Sequence, residues 1–365
     1  MKKIFYATLA TLAILGCTKT EANFSDAEQI IFKPVSKFDT KAAVAGTTYS
    51  ENYPFYVFAN AKSDVQTTFN SKYFEKVLFV PETDNPTTTA AGLQVYKGST
   101  PQYWPNVNPL VFAGFTQTGN VASITPAAGE TLETLELSGY TQPAPTEEGA
   151  NDLMYFFADK NGNGYDKNTG VVDPVMKHAC SWITININAE GALVNDQDTE
   201  TDGVQAFWGD LKVTEVKFVN LYSTGKVTLS KSAVPSWDYN GQSEAPVVVK
   251  ASTASAKLIT TTSEEFADVE NNTIVLPQTP AYLSVTYTYT TPAGVQNFQE
   301  TKVLPLNYDD EVRAPNADDD AFRNTWTPWA PGKHYTYNLT LTAEEIKIAP
   351  SSEDWGTPVS TDKEI

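Results

Sequence analysis

Histidine, arginine and cysteine are nearly missing from this chain: two of each stand among 365 residues. Neither His178 nor His334 has a second histidine at zinc spacing or a Gly-x-Ser-x-Gly nearby, which removes the common hydrolase arrangements. No glycine-rich loop opens a helix pattern, so a nucleotide phosphate has no backbone cradle. With only Arg313 and Arg323, lysine supplies nearly all of the 25 basic residues against 44 acidic ones, a net charge of −19. So negative a surface repels phosphate backbones and excludes a nucleic-acid partner. Cys17 and Cys180 build no disulfide framework. After residue 16 no apolar run nears the ~18 residues of a membrane helix, and helical periodicity is absent. Carboxylates are numerous, but in a chain this acidic their number points to no catalytic pair. We read the chain as non-enzymatic.

What is present starts with a leader. Lys2-Lys3 precedes an apolar run from Ile4 to Leu15, a positive start and a core too short to span, which together make a secretory signal peptide over residues 1–16. Ile14-Leu15-Gly16-Cys17 then looks like a bacterial lipobox, in which the peptide is cut before Cys17 and the cysteine is acylated. Several acyl chains at ~0.8 kcal/mol per buried methylene suffice for stable anchoring. Residues 17–27 are polar and read as the lipidated tether.

The body alternates short runs of Val, Ile, Phe, Tyr and Thr with Gly, Pro, Asn and Asp clusters, the pattern of an all-β chain. Gln29–Val35, Pro54–Phe58, Lys76–Val80, Leu110–Phe115, Leu153–Phe157 and Ile183–Ile187 are predicted strands, the last closing an N-terminal β-sandwich domain over 28–192. Residues 193–203 carry no apolar anchor from Asn195 onward and form the predicted linker. Leu211–Phe218, Gly225–Leu229, Thr273–Leu276, Leu283–Tyr289, Thr301–Leu306 and Tyr335–Leu341 then build a C-terminal β-sandwich domain over 204–365. In Tyr335–Leu341 every second residue is large and apolar with Thr and Asn between, one face for a core and the other for water. Ile346 and Ile348 begin a last short strand that Pro350 is expected to end.

Three features bear on chemistry. Asp159, Asn161, Asn163 and Asp166 place oxygens at the spacing of an incomplete Ca2+ loop, whose twelfth position is Gly170 instead of glutamate. An Asn/Gly turn explains the same residues. Cys180 heads an apolar strand and is expected to be a small buried residue. Most aromatics belong in cores, whereas Trp208, Trp237, Tyr239 and Trp329 in loops could instead be platforms for a sugar or protein ligand.

Pro331, Gly332, Lys333, Tyr335, Tyr337, Ile346, Ile348, Pro350, Asp354 and Trp355 together resemble the C-terminal signature of the Bacteroidetes fimbrillin-like proteins, which include type V pilins and their accessory subunits. Tyr103-Trp104-Pro105, Asp152-Leu153-Met154-Tyr155, Lys177-His178-Ala179 and Leu276-Pro277-Gln278 fit in the same order. The resemblance implies two transthyretin-like β-sandwich domains, lipoprotein export to the outer membrane, and assembly with other fimbrial subunits by strand exchange in the service of adhesion. Mapped here, the removable first strand holds Gln29, Ile30, Ile31, Phe32 and Val35, the cleavage loop Ser36–Gly46 offers Lys37 and Lys41 in place of arginine, and Ile346 and Ile348 belong to the donor segment. The alternative is a monomeric surface lipoprotein that binds a host or bacterial glycan or protein through loop aromatics, or a pilus anchor or tip subunit.

Overall fold

The structure, a computed structural model, describes residues 28–36, 53–62, 69, 71–82, 95–126, 132–142, 152–190, 209–242, 244–251, 257–258, 264–265, 273–278, 281–290, 297–307, 329–341 and 346–354. Every regular element among them is a strand. In chain order these are β1 (Ile31–Phe32), β2 (Val35–Ser36), β3 (Phe55–Ala61), β4 (Ser71–Pro81), β5 (Tyr96–Gly98), β6 (Leu110–Thr116), β7 (Ser123–Pro126) and β8 (Thr134–Thr141). Then come β9 (Met154–Ala158), β10 (Val171–Val172), β11 (Val175–His178), β12 (Ser181–Ala189), β13 (Gly209–Tyr222), β14 (Thr224–Ser230), β15 (Ser236–Asp238) and β16 (Glu244–Ala251). The rest are β17 (Lys257–Leu258), β18 (Glu264–Glu265), β19 (Thr273–Val275), β20 (Ala281–Thr290), β21 (Asn297–Asn307), β22 (Lys333–Leu341) and β23 (Ile346–Asp354).

The first sheet runs β10-β1-β5-β4-β3-β6-β9-β11-β2. Its two ends are the same pair of segments: β1 lies parallel to β10, and β2, three residues on, lies parallel to β11. The sheet therefore closes on itself. Inside sit Phe32, Phe55, Val57, Phe79, Phe112 and Phe156 in one buried cluster. The opposite faces of β3, β6 and β9 are buried too, because a second sheet, β15-β14-β8-β7, packs its Leu135, Leu137, Val227 and Leu229 against them. That double burial explains why Leu110–Phe115 reads as a continuous apolar run instead of alternating. Gly114 serves the same crowding. A Cβ there would stand 2.5 Å from both the Tyr56 carbonyl oxygen and a Phe156 ring carbon.

Two further sheets, β18-β12-β22-β23 with β19 alongside β12, and β16-β13-β20-β21 with β17 alongside β13, face each other over a third cluster. Ile183, Ile185 and Ile187 face Val213, Val216, Leu283 and Val285 across it, with Tyr337 and Leu339 beside them. The alternation predicted for Tyr335–Leu341 is present, with Tyr335, Tyr337, Leu339 and Leu341 buried.

The pairing of three strands goes beyond what alternation predicts. β12, which carries Ile183–Ile187, runs parallel to β22, Trp182 opposite His334 through Ala189 opposite Leu341. Conversely, β14 pairs with β8, from the other side of the 193–203 segment, which itself lies outside the described residues. Period-two alternation says which face is apolar and nothing about which strand is the neighbour. The last strand passes Pro350, which stands opposite Tyr337, and continues to Asp354. Proline is tolerated there because β23, among the described residues, is the edge strand of its sheet.

Gly114→Ala should lower unfolding free energy by roughly 1–3 kcal/mol in a urea titration, the usual cost of overfilling a packed core. An unchanged midpoint would mean that Tyr56 and Phe156 yield without cost.

Candidate functional site

The segment that closes the first sheet is itself the candidate site. Its residues alternate: Ile30, Phe32 and Pro34 are buried, while Ile31, Lys33 and Val35 are half-buried. One edge is held by Gln102–Trp104 and β5. The Ile30 N–H donates to the Gln102 carbonyl at 2.7 Å, and the Trp104 N–H donates to the Glu28 carbonyl at 3.0 Å. On the other edge the Lys33 N–H donates to the Val172 carbonyl at 2.8 Å and the Val35 N–H to the Pro174 carbonyl at 2.9 Å. Pro34 brings no N–H, so regular pairing breaks into β1 and β2 where one continuous strand was expected. Gln29 makes an isolated bridge to Tyr103.

Phe32 is the centre of the site. Its ring meets Phe79 at 4.7 Å, Phe112 at 5.2 Å and Phe55 at 5.8 Å edge-on, and Phe156 at 5.9 Å. Burying one such ring contributes about 1.5–3 kcal/mol by area alone, with edge-to-face contacts adding to it.

The other short motifs meet at the seams between sheets. Tyr103-Trp104 is the rail along which Gln29 and Glu28 bond. Asp152, ahead of β9, and His178, at the end of β11, form a buried pair with Nδ1 2.7 Å from Oδ2. The Thr116 and Thr118 hydroxyls donate to the Asp152 carbonyl at 3.2 and 2.9 Å. Gln278 acts as a substitute strand partner: its Oε1 accepts from the Tyr222 N–H at 2.8 Å, and its Nε2 donates to the Tyr222 carbonyl at 3.1 Å. Gly332 adopts φ +69° and donates its N–H to the Cys180 carbonyl at 2.8 Å, tying the turn before β22 to the start of β12. Sequence inspection had singled these motifs out without their contacts. Asp152 and His178 had no signal as a pair, being 26 residues apart.

The remaining predicted sites fall as follows. Cys180 is fully buried, and burial pushes its thiol well up. Trp237 donates its indole N–H to the Ala179 carbonyl at 2.8 Å and stacks near-parallel with Tyr239, whose hydroxyl donates to the Pro277 carbonyl. Trp329 is buried and donates to the Tyr337 hydroxyl at 2.8 Å. Trp329 is thus part of the core, while Trp237 and Tyr239 are half-buried, each with its polar atom on a backbone carbonyl. Ile346 and Ile348 stand opposite Leu341 and Leu339 in β23. Cys17, Lys37, Lys41, Trp208 and Trp355 lie outside the described residues.

Asp159–Asp166 is a turn in which Lys160, Asn161, Gly162 and Gly164 all take positive φ, and the Gly164 N–H closes onto the Asp159 carbonyl at 2.8 Å. Its two carboxylates are engaged separately. Asp166 Oδ1 accepts from the Thr169 hydroxyl and from the N–H groups of Asn168 and Thr169, each at 3.0 Å. Asp159 Oδ2 lies 2.8 Å from Lys231 Nζ. Burial pushes the Asp159 carboxyl up, but the Lys231 hydrogen bond and charge, with the Gly162 and Asn161 N–H groups, outweigh it and hold the carboxyl below its usual range. Among the described residues no three His, Cys, Asp or Glu side chains gather as a metal shell.

Phe32→Ala should cost about 3–5 kcal/mol of unfolding free energy, the range for a buried ring removed from a core. Lys33→Ala beside it should change stability by less than about 0.5 kcal/mol. Comparable costs for both would remove Phe32 from its central place. For Asp159 the depressed carboxyl contributes stability above the ordinary carboxylate value of ~3.9 that is lost as pH falls through the lower folded value. The stability gap between the wild type and Asp159→Asn should therefore close on acidification; a gap constant with pH would contradict the Lys231 pairing.

A family model described as fimbrillin-like matches residues 40–355. No curated protein matches the chain. Among solved structures, the chain is similar to a candidate cell adhesion protein from Bacteroides uniformis, at 15% identity, covering 90% of this chain and 98% of that one, with a TM-score of 0.48. It is also similar to a fimbrial protein from Bacteroides vulgatus, at 13% identity over 82% and 92% of the two chains, with a TM-score of 0.46. The tip fimbrial protein Mfa3 from Porphyromonas gingivalis, with a C-terminal truncation, matches at 10% identity over 90% and 98%, with a TM-score of 0.41. The match to the family model spans most of the sequence, and with it the chain belongs to the fimbrillin-like family.

Proposed function

We propose that the chain is a non-enzymatic fimbrial structural subunit, exported as a lipoprotein, anchored to the outer membrane through Cys17, and assembled with other subunits by β-strand exchange to serve adhesion at the cell surface. The carrying observation is the closure of the first sheet by residues 29–36 within a family member. Cleavage after Lys37 or Lys41 would release that segment with the lipid. Loss of the segment would strip β5 of one partner and β10–β11 of another, and would empty the places of Ile30, Phe32 and Pro34. A vacated edge with alternate side-chain pockets is the receptor half of strand addition.

The donor half is supported by spacing. Ile346, Ile348 and Pro350 repeat, two residues apart, the order of Ile30, Phe32 and Pro34. β23 is an edge strand paired only with β22 among the described residues, so it can leave by giving up one ladder. The partner would be the groove of the next subunit.

The test reads the N-terminal residue separately from sheared surface material and from the membrane fraction. A start just after Lys37 or Lys41 in sheared polymer, abolished by Lys37→Ala with Lys41→Ala, is the expected result. An acylated Cys17 in both fractions would rule out stalk assembly by this route and leave an anchor or tip subunit, a role that the missing arginine between Ser36 and Gly46 would then fit.

A further inference from the structure

A cleft of about 230 Å³ opens on the outer side of the first sheet, where the end of β9 meets the start of β8 and the end of β14. Its wall is apolar, with Phe69, Leu132 and Phe157 among its side chains, and its mouth is charged, with Glu133, Asp159 and Lys231. Lys231 Nζ lies 2.8 Å from Asp159 Oδ2 and 3.1 Å from Glu133 Oε1, so the mouth reads acceptor, donor, acceptor. The arrangement is held in place. The Lys231 N–H donates to the Glu133 carbonyl at 3.0 Å. Asn60 Nδ2 donates to the Phe69 carbonyl at 3.3 Å, and the Phe69 ring sits where a side chain on Gly164 would be, a Cβ there coming within 2.7 Å of it. The positive-φ turn that resembles a Ca2+ loop thus delivers Asp159 to the mouth and makes room for the wall.

We propose that this cleft binds one neutral sugar residue. The volume suits a single ring and is too small for a strand or helix. An apolar wall takes the C–H face of a pyranose as aromatic rings do, and neighbouring hydroxyls, each both donor and acceptor, match an alternating mouth. Charge selects among small ligands. Two carboxylates within a strongly acidic chain repel an anion, and a cation would have to displace Lys231, which already pairs with both carboxylates. A neutral polyol meets neither penalty. The site shares Phe112 with the ring cluster around Phe32, but none of residues 29–36 lines it, and binding does not require strand exchange.

Saturation-transfer NMR on the full chain, with the methyl glycosides of glucose, galactose and N-acetylglucosamine as probes and sialic acid and free lysine as charged controls, tests the assignment. At least one neutral glycoside should receive saturation at millimolar concentration and exceed both controls. Lys231→Met should abolish the transfer, and Glu133→Gln, on an exposed side chain, should weaken binding about tenfold, the effect of replacing a charged hydrogen-bond acceptor by a neutral one. Both variants should stay folded, Lys231→Met melting somewhat lower because Asp159 loses its ion-pair partner; if Lys231→Met does not fold, Glu133→Gln carries the test. No transfer from any glycoside, transfer unchanged in the folded variants, or preference for a charged control would each overturn the proposal.

Discussion

A strand edge turned toward a core must be paired, because a buried N–H or carbonyl left without a partner costs as much as a hydrogen bond lost. In this chain that constraint falls on one short piece near the N-terminus. Residues 29–36 bond to Gln102–Trp104 and β5 on one side and to β10–β11 on the other, and without them the first sheet has two open edges. No disulfide holds the segment, since Cys180, the one cysteine among the described residues, is buried and free. What retains it is backbone pairing and the Phe32 ring among Phe55, Phe79, Phe112 and Phe156.

One of the remaining sheets covers that closed sheet, and the other two face each other over a core of their own. β14 returns to pair with β8 and covers the outer faces of β3, β6 and β9, while β12 leaves to pair with β22. The short polar motifs stand at these crossings. Asp152 and His178 join the start of β9 to the end of β11, Gly332 fastens the approach to β22 onto Cys180, and Gln278 completes the edge at Tyr222. Each satisfies polar groups where a regular ladder stops, which is why such residues recur at fixed places between strands.

Much of this was legible in the sequence, and the limits have physical causes. The all-β class follows from β-branched and aromatic runs, and the apolar face of Tyr335–Leu341 from its period of two. Family membership followed from motif order. Pairing did not, because alternation is the same whichever strand lies alongside; nothing in Ile183–Ile187 points to β22 as its partner. Trp237 and Tyr239 read as loop residues in the sequence, but Trp237 falls within β15, and each spends its polar atom on a backbone carbonyl from a distant segment, Ala179 and Pro277. The Asp159–Asp166 turn has the oxygen spacing of a cation loop, but Lys231, 72 residues further on, takes the first carboxylate. Contacts of that range leave no mark on local pattern.

The central claim is that residues 29–36 complete the first sheet and can be replaced by another strand. Amide hydrogen exchange, before and after cleavage at Lys37 and Lys41, tests it most directly. The account predicts that the amides of β5, β10 and β11 lose protection on cleavage and release of the segment while those of β12 and β22 keep theirs, and that a peptide spanning Gln29–Ser36 restores the lost protection. Unchanged protection in β5 and β10–β11 after the segment has gone would contradict it.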